Sequence, residues 1–280
     1  MSFDVNKSVA TDNTKVKIGI NGAAGRMGRN LIMGCVEDRA LQLTVATEQP
    51  QHDALGIDTG ILVGLERQGV LITANLADVI HDCDVLIDFT SPESTLASLS
   101  VCRESGRCLV IGTTGLSGQE QTMIAKVARE IPIVFAPNMS IGVTLCFTLA
   151  ETAARILGDH VDVEIIEAHH RRKMDAPSGT ALQLGRIIAD TLGRDLSTHA
   201  IYGREGKTGE RDRKTIGFET IRAGDIVGEH TVMFAGLGER IEITHRASSR
   251  EIFARGALRA ARWIIEKENG LFDMQDVLRS

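Results

Sequence analysis

Three evenly spaced glycines follow the first apolar segment of this 280-residue chain and constrain its fold more than any other feature. Residues 16–20 have the pattern of a short buried strand, Gly22, Gly25 and Gly28 come next, and residues 27–36 have a helical pattern. A strand, a tight turn and a helix in immediate succession are typical of an open α/β sheet.

The same alternation continues through the first half of the chain. Further strands are predicted at residues 43–46, 70–73, 84–90, 108–112 and 133–136, and helices at residues 92–105 and 117–130. Strands that alternate with helices of this length predict a parallel sheet with right-handed crossovers.

The alternation of strands and helices ends near residue 141. A helix is predicted over residues 143–157 and a half-exposed strand over residues 161–168, and strands at 215–222, 229–235 and 240–246 then follow one another. Successive strands predict a second, largely antiparallel sheet, and residues 251–267 form an amphipathic helix. We therefore predict a tail at 1–14, a dinucleotide-binding domain at 15–140, a substrate-binding and oligomerisation domain at 141–249, and a C-terminal helical segment at 250–280.

The glycine turn has the chemistry of a pyrophosphate site. Glycine lets the backbone approach the phosphates, and a helix N-terminus offers unpaired N–H groups and a positive dipole end. The spacing is GxxGxxG, so a plain turn is an equally good interpretation of the glycines alone. Glu48, twenty residues after Gly28 at a predicted strand end, favours the nucleotide site because it can accept both hydroxyls of a ribose.

The densest reactive chemistry lies between residues 167 and 180. His169, His170 and Lys173 stand with two arginines in a basic cluster, which suits an acidic substrate on a chain of net charge -6. Ser178 is placed to cap the following helix, so that the N–H groups of Gly179 and Thr180 can hold a carboxylate. A solvated basic turn is the alternative interpretation, but a capped helix at the same corner favours a site.

Composition excludes several classes of function. A pI near 5.8 and only ten aromatic residues argue against nucleic-acid binding, and no strictly apolar segment indicates a membrane partner. Five cysteines form no paired framework, which predicts a cytoplasmic protein, and the adjacent histidines do not have metal-ligand spacing. Cys146 lies in an apolar helical pattern and is interpreted as a packing residue.

Five segments together resemble the dihydrodipicolinate reductase (4-hydroxy-tetrahydrodipicolinate reductase) family of lysine and diaminopimelate biosynthesis. They are residues 22–28 (GAAGRMG), 88–90 (DFT), 112–115 (GTTG), 167–180 (EAHHRRKMDAPSGT) and 222–230 (RAGDIVGEH). The resemblance implies an α/β fold with a Rossmann-like parallel-sheet cofactor domain, and an α+β mixed-sheet domain that binds substrate and forms a homotetramer. It also implies that the C-terminal helix returns to the cofactor domain.

The resemblance also implies roles for individual residues. His169 and Lys173 would exchange the proton, and the carboxylates of a small dicarboxylate substrate would be held by His170, Ser178, Gly179 and Thr180. Contacts to NADH or NADPH would come from Gly22, Ala23, Ala24, Gly25, Arg26, Met27, Glu48, Gln49, Phe89, Gly112, Thr113, Thr114, Ala136, Pro137, Asn138 and Met139. No metal is implied, and which of His169 and Lys173 delivers the proton stays open.

Gln49 departs from the pattern of many family members, which have an arginine after the ribose-binding acid. A carboxylate facing a 2′-phosphate is unfavourable, and Gln49 adds no compensating charge, so we expect NADH to be used at least as well as NADPH. Two alternatives remain: a dinucleotide sensor without chemistry, and an aldehyde dehydrogenase that uses a Cys146 thioester. Intact His169 and Lys173 count against the first, and the apolar setting of Cys146 counts against the second.

Overall fold

The computed structural model describes residues 15–279; the predicted tail at 1–14 lies outside this range. The strands, in chain order, are β1 (Val16–Asn21), β2 (Leu41–Thr47), β3 (Val85–Asp88), β4 (Cys108–Ile111), β5 (Pro132–Phe135), β6 (Asp162–His169), β7 (Ala200–Tyr202), β8 (Ile216–Arg222), β9 (Gly228–Ala235), β10 (Arg240–Ala247) and β11 (Gly270–Phe272). The α-helices are α1 (Arg26–Glu37), α2 (Thr59–Leu62), α3 (Leu76–Val79), α4 (Pro92–Ser105), α5 (Gly118–Val127), α6 (Ile141–Leu157), α7 (Gly179–Thr191), α8 (Leu196–His199), α9 (Glu251–Ile264) and α10 (Met274–Leu278).

The first sheet has six strands in the order β11-β5-β4-β3-β1-β2, and β1 pairs in parallel with both β2 and β3. The central strands are apolar on both faces, and Ile18, Ile20 and Val85 are fully buried. This burial is expected where helices cover both sides of a parallel sheet. The parallel sheet predicted from the alternation of strands and helices is confirmed, and so is the Rossmann-like fold that the family resemblance implies.

The predicted strand at residues 70–73 is wrong. Leu71 and Thr73 make only isolated bridges, with Asp58 and Thr47, and Leu71 is exposed. The segment is bounded by Gly69 in the left-handed conformation and by Asn75, which caps α3. Those two residues leave too short an extended run to form a ladder.

The second sheet has five strands in the order β10-β9-β6-β8-β7. It is mixed rather than largely antiparallel: β9 runs antiparallel to β6 and β10, whereas β8 runs parallel to β6 and β7. The parallel pairing of β6 with β8 follows from the helical connection between them, since parallel neighbours need a crossover. The mixed-sheet architecture implied by the resemblance is therefore confirmed.

Helices α6 and α7 pack on one face of this mixed sheet. Phe234 and Phe218 lie in a buried cluster with residues of both helices. A Cβ atom at Gly185 of α7 would lie 2.4 Å from the Phe218 ring, so glycine is what permits this close approach. The face so covered also carries the odd-numbered residues at the end of β6, which include Glu167 and His169.

The described chain divides into two compact units. The first comprises residues 15–110, 115–133 and 261–270, and the second comprises residues 111–114, 134–260 and 271–279. One segment, Ile141–His160, is long and apolar enough to cross a membrane by length and composition, and 22% of it is buried. This test is weak evidence, because core helices pass it too, and α6 within that segment packs against α7 and the mixed sheet.

Candidate functional site

The glycine turn of the first unit lies over a buried polar cluster at the strand ends. The Asn21 amide nitrogen donates to Asp88, Ser94 and Ser98 at 2.9–3.1 Å, and its oxygen accepts from the hydroxyl of Thr47. These bonds join the ends of β1, β2 and β3 to helix α4. The backbone that enters the turn is therefore fixed before any ligand binds.

The turn itself has the geometry of an anion cradle. Gly22 is left-handed (φ +75°), and a Cβ atom at Gly28 would lie 2.2 Å from the Gly22 carbonyl oxygen. Gly25 caps α1 without any side-chain hydrogen bond, so the first N–H groups of that helix remain available to a ligand. A 12-residue helix with an uncapped N-terminus and a close glycine turn fits a pyrophosphate.

A cleft of about 800 Å³ adjoins this turn. Among the predicted cofactor residues, it is lined by Gly22, Ala24, Gly25, Glu48, Gln49 and Phe89. The Glu48 carboxylate is fixed at both oxygens, since it accepts from the backbone N–H groups of Ala24 and Gln49 at 3.0 Å. The cleft therefore fits the adenosine and pyrophosphate parts of a dinucleotide.

A second cavity, of about 720 Å³, lies within the second unit. His169 at the end of β6, Lys173 in the following loop, and the first turn of α7 all contribute to its lining. Its predicted residues are Thr114, Ala136, Pro137, Asn138, His169, Lys173, Ser178, Gly179 and Thr180. The structure thus brings most of the predicted substrate and catalytic residues together.

The remaining predicted residues lie elsewhere. Ala23, Thr113 and Met139 are buried, and His170 has a buried Nδ1 atom without a hydrogen-bond partner. Neither cavity is lined by these four residues, nor by Arg26, Met27 or Gly112. Their roles stay predictions.

Ser178 is fully engaged by other protein groups. Its hydroxyl accepts from the N–H of Ala181, which caps α7, and lies 2.9 Å from Nε2 of His230. Its own N–H donates to Glu167 at 3.1 Å. Ser178 therefore holds the start of α7 in place, and the N–H groups of Gly179 and Thr180 are left to face an anion.

His169 and Lys173 are each paired with a carboxylate. Nδ1 of His169 lies 2.6 Å from Oε2 of Glu167, and Nζ of Lys173 lies 2.8 Å from Oδ1 of Asp175. The hydrogen bond from Lys173 lowers the pKa of Asp175. Both candidate proton donors are thus held by acids of the same chain.

The sequence interpretation assigned no role to Glu167 and Arg222, which the structure brings together beside His169. Glu167 is 1% exposed and receives both terminal nitrogens of Arg222 at 2.8 Å. The two-residue spacing of Glu167 and His169 on a predicted strand was a usable signal, because it places both on one face. Arg222 carried no such signal, since its position follows from the pairing of β6 with β8.

The thioester mechanism considered for Cys146 finds little support in the structure. Burial raises the pKa of Cys146, which disfavours the thiolate that a thioester mechanism needs. Within residues 15–279, no group of three or more histidine, cysteine or acidic side chains is arranged to hold a metal ion.

A cleft that fits a dinucleotide at the edge of a parallel sheet, and a cavity lined by His169, Lys173 and the first turn of a helix, are features of nicotinamide-dependent oxidoreductases. Two family models match the sequence: "Dihydrodipicolinate reductase, N-terminus" over residues 16–139 and "Dihydrodipicolinate reductase, C-terminus" over residues 142–278. The chain therefore belongs to the dihydrodipicolinate reductase family.

Individual relatives agree with this assignment. Proteins named 4-hydroxy-tetrahydrodipicolinate reductase from Methylococcus capsulatus and Alkalilimnicola ehrlichii are 59% and 60% identical to this chain, covering 94% of it and 98% of each relative. A solved structure of dipicolinate-bound dihydrodipicolinate reductase from Paenisporosarcina sp. TG-14 has a TM-score of 0.74 at 23% identity. That likeness covers 93% of this chain and 98% of the other, and it supports the fold.

His230 gives the protein a testable dependence on acid. Burial, together with the charge of His169, lowers the pKa of His230 to about 3, from 6.5. As the pH falls below about 6.5, the unfolded chain binds this proton and the folded chain does not, so stability decreases by at most about 1.4 kcal/mol per pH unit. Urea unfolding between pH 7 and roughly 5 should show a shallower loss in His230→Gln than in the wild type.

The range between pH 7 and roughly 5 separates the effect of His230 on stability from that of Glu167, whose lowered pKa affects stability only below about pH 4.5. His81→Gln is the matched control, because His81 is exposed. Equal slopes in the wild type and in His230→Gln would contradict the assignment.

Proposed function

We propose that this protein reduces 4-hydroxy-tetrahydrodipicolinate, or its dehydrated form dihydrodipicolinate, to tetrahydrodipicolinate in lysine and diaminopimelate biosynthesis. Nearly 60% identity over 94% of the chain to reductases of this name supports the reaction. The observation that carries the proposal is the cavity in which His169, Lys173 and the N-terminus of α7 meet. One cavity with two cationic or proton-carrying side chains and a helix N-terminus suits a small dicarboxylate.

The substrate carboxylates are held by Lys173 and by the first turn of α7. Gly179 and Thr180 begin that helix, and the Thr180 hydroxyl accepts a hydrogen bond from the Asn138 amide at 3.1 Å. Because Lys173 is already paired with Asp175, a substrate carboxylate must share or replace that partner. The cleft residues around Gly22 and Glu48 would hold the adenosine and pyrophosphate parts of NADH or NADPH, whose nicotinamide would supply the hydride.

The chain supplies the proton through His169 or Lys173. His169 is 9% exposed and lines the cavity, so its imidazole lies where water is largely excluded. Glu167 holds Nδ1, which leaves Nε2 to exchange a proton with the substrate. Lys173 lies in the same cavity and is the second candidate donor.

The reaction and its donors are tested together. Purified protein should oxidise NADH when it is given the freshly made product of the preceding pathway enzyme. His169→Gln and Lys173→Met should each lower kcat by about 100-fold, because general acid catalysis contributes about 10²–10⁴. The Kd for NADH, measured by fluorescence titration, should change by less than about twofold, since neither side chain belongs to the glycine-turn cleft.

Arg172→Gln is the matched control, because Arg172 is an exposed cation of the same loop that does not line the cavity. It should keep the wild-type kcat. If the wild type oxidises neither NADH nor NADPH, the proposed reaction is overturned, whereas unchanged turnover in both donor variants would reject the donor assignment alone.

We further propose that NADH is used at least as well as NADPH. The cleft is lined by two acids, Glu48 and Glu93, and by His52, but by no lysine or arginine. The two backbone N–H groups that hold Glu48 keep its charge where a 2′-phosphate would approach. A kcat/KM for NADPH more than about tenfold above that for NADH, about 1.4 kcal/mol, would contradict this preference.

Gln49→Arg tests the same point in the opposite direction. The new guanidinium should raise kcat/KM for NADPH relative to NADH by about tenfold, because it can pair with the phosphate. His81→Arg adds the same charge at a residue that does not line this cleft and should leave the ratio unchanged.

We also propose a cytoplasmic homotetramer. All five cysteines are free thiols, which suits a reducing compartment. Helices α6 and α7 cover one face of the mixed sheet, which is the face that carries Phe218. Ile221 of the same strand points to the other face and is 48% exposed. Light scattering should give a mass of about four times 30.3 kDa, whereas a monomer at micromolar concentration would reject the assembly.

A further inference from the structure

We propose that Glu167 and Arg222 are positioning residues of this reductase, which hold the proton donor His169 and the loop at residues 170–178 in their working geometry. The inference rests on the proposed function and deepens it. It favours His169 over Lys173 as the donor, and it adds two residues that act through others.

Glu167 is the most heavily bonded carboxylate of the site. It receives five hydrogen bonds, which come from His169 Nδ1 at 2.6 Å, Ser178 N at 3.1 Å, Thr220 Oγ1 at 3.3 Å, and Arg222 Nη1 and Nη2 at 2.8 Å each. One buried anion therefore fixes both the imidazole and the residue that caps α7. Glu167 therefore supports both the proton donor His169 and the first turn of α7, which is proposed to hold a substrate carboxylate.

The sheet register makes the arrangement rigid. His169 lies opposite Arg222 in the parallel pair β6–β8, and Glu167 lies opposite Thr220 of β8 and His230 of β9. Side chains opposite each other in a sheet point to the same face. The strands β6 and β8 thus deliver Glu167, His169, Thr220 and Arg222, so these four residues meet without any ordering of the 170–178 loop.

Arg222 extends the network to the second candidate donor. Its Nη2 atom donates to the Asp175 carbonyl oxygen at 2.6 Å, and the Asp175 carboxylate pairs with Lys173. The guanidinium therefore joins the end of β6 to the loop that carries Lys173. Arg222 is not among the residues that line the cavity, so its influence on the reaction passes through Glu167 and Asp175.

The charges of Glu167 and Arg222 explain why the site needs both residues. Burial alone would raise the pKa of Glu167, but the hydrogen bonds from His169 and Arg222 outweigh burial and set it at about 2. An ionised carboxylate can only accept hydrogen bonds, so Nδ1 of His169 carries a proton in either state of the ring. Nε2 is then the nitrogen that takes up a proton to form the imidazolium and gives that proton to the substrate. Arg222 balances the negative charge of Glu167 through two hydrogen bonds, so the buried carboxylate stays ionised beside His169.

The other groups around His169 do not duplicate this role. His230 on β9 contacts the His169 ring, with centroids 5.1 Å apart, and it is neutral because burial lowers its pKa to about 3. Lys173 and Asp175 of the loop form an ion pair with each other. Gly228 at the start of β9 adds no side chain, and a Cβ there would lie 3.1 Å from Nε2 of His169.

Steady-state kinetics of the full-length protein against pH test the proposal. Glu167→Gln should lower kcat by about 10- to 100-fold with little change in KM, because an amide cannot enforce one tautomer. Removing the negative charge should move the alkaline limb of kcat/KM to lower pH by about one unit, whereas Arg222→Gln should move it to higher pH. Arg222→Lys should keep the wild-type limb but raise KM, because lysine restores the charge without the planar fork that reaches Glu167 and Asp175.

Arg204→Gln is the matched control. Arg204 makes a similar two-point ion pair with Glu164, three residues before Glu167 on the same strand, away from the cavity. It should leave kcat, KM and the pH profile unchanged. Thermal unfolding of every variant shows whether a loss of activity merely follows a loss of folded protein.

Heteronuclear NMR of the histidine ring nitrogens provides a readout that needs no substrate. The wild type and Arg204→Gln should show His169 protonated at Nδ1, and Glu167→Gln should show a tautomer mixture. Shifts of the alkaline limb in the same direction for Glu167→Gln and Arg222→Gln, or an unchanged tautomer in Glu167→Gln, would overturn the proposal. If the wild type fails to reduce the substrate, the proposed reaction falls while the NMR result still decides the positioning role.

Discussion

A single buried carboxylate, Glu167, is the constraint on which the candidate site depends. A charge with 1% exposure is tolerated only when hydrogen bonds replace the lost water, and five of them do so here. Each of those bonds fixes a different part of the site, from the imidazole to the capped helix. The cost of burying the charge is therefore also the reason that the site has one geometry.

The two units solve the same physical problem in related ways. In the first unit, the Asn21 amide joins three strand ends beneath the glycine turn, much as Glu167 joins two strands and a helix in the second. Both clusters lie at the carboxyl end of a strand, directly before a turn for which we propose a ligand. Polar groups are placed there because backbone amides that must face a ligand cannot also be held by regular secondary structure.

Local sequence patterns were sufficient for the framework of the fold and for most of the cavity. The strand before Gly22 and the cap at Ser178 are encoded within a few residues, and both were predicted. The strand at residues 70–73 failed because its four residues could not reveal the missing partner. Arg222 was missed because it lies 55 positions after Glu167 and meets it only through the pairing of β6 with β8. The parallel pairing of β6 with β8 was missed for the same reason, since strand order is a property of the whole sheet.

The pairing of Lys173 with Asp175 also bears on selectivity among anions. Lys173 is already paired with an acid two residues away. In the function proposed above, an incoming anion would compete with that carboxylate, whose effective concentration is set by the short loop that joins Lys173 and Asp175. A monovalent acid would gain only that exchange, whereas a dicarboxylate would also gain the N–H groups of the first turn of α7. The internal acid would therefore favour a dicarboxylate over a small acid of single charge.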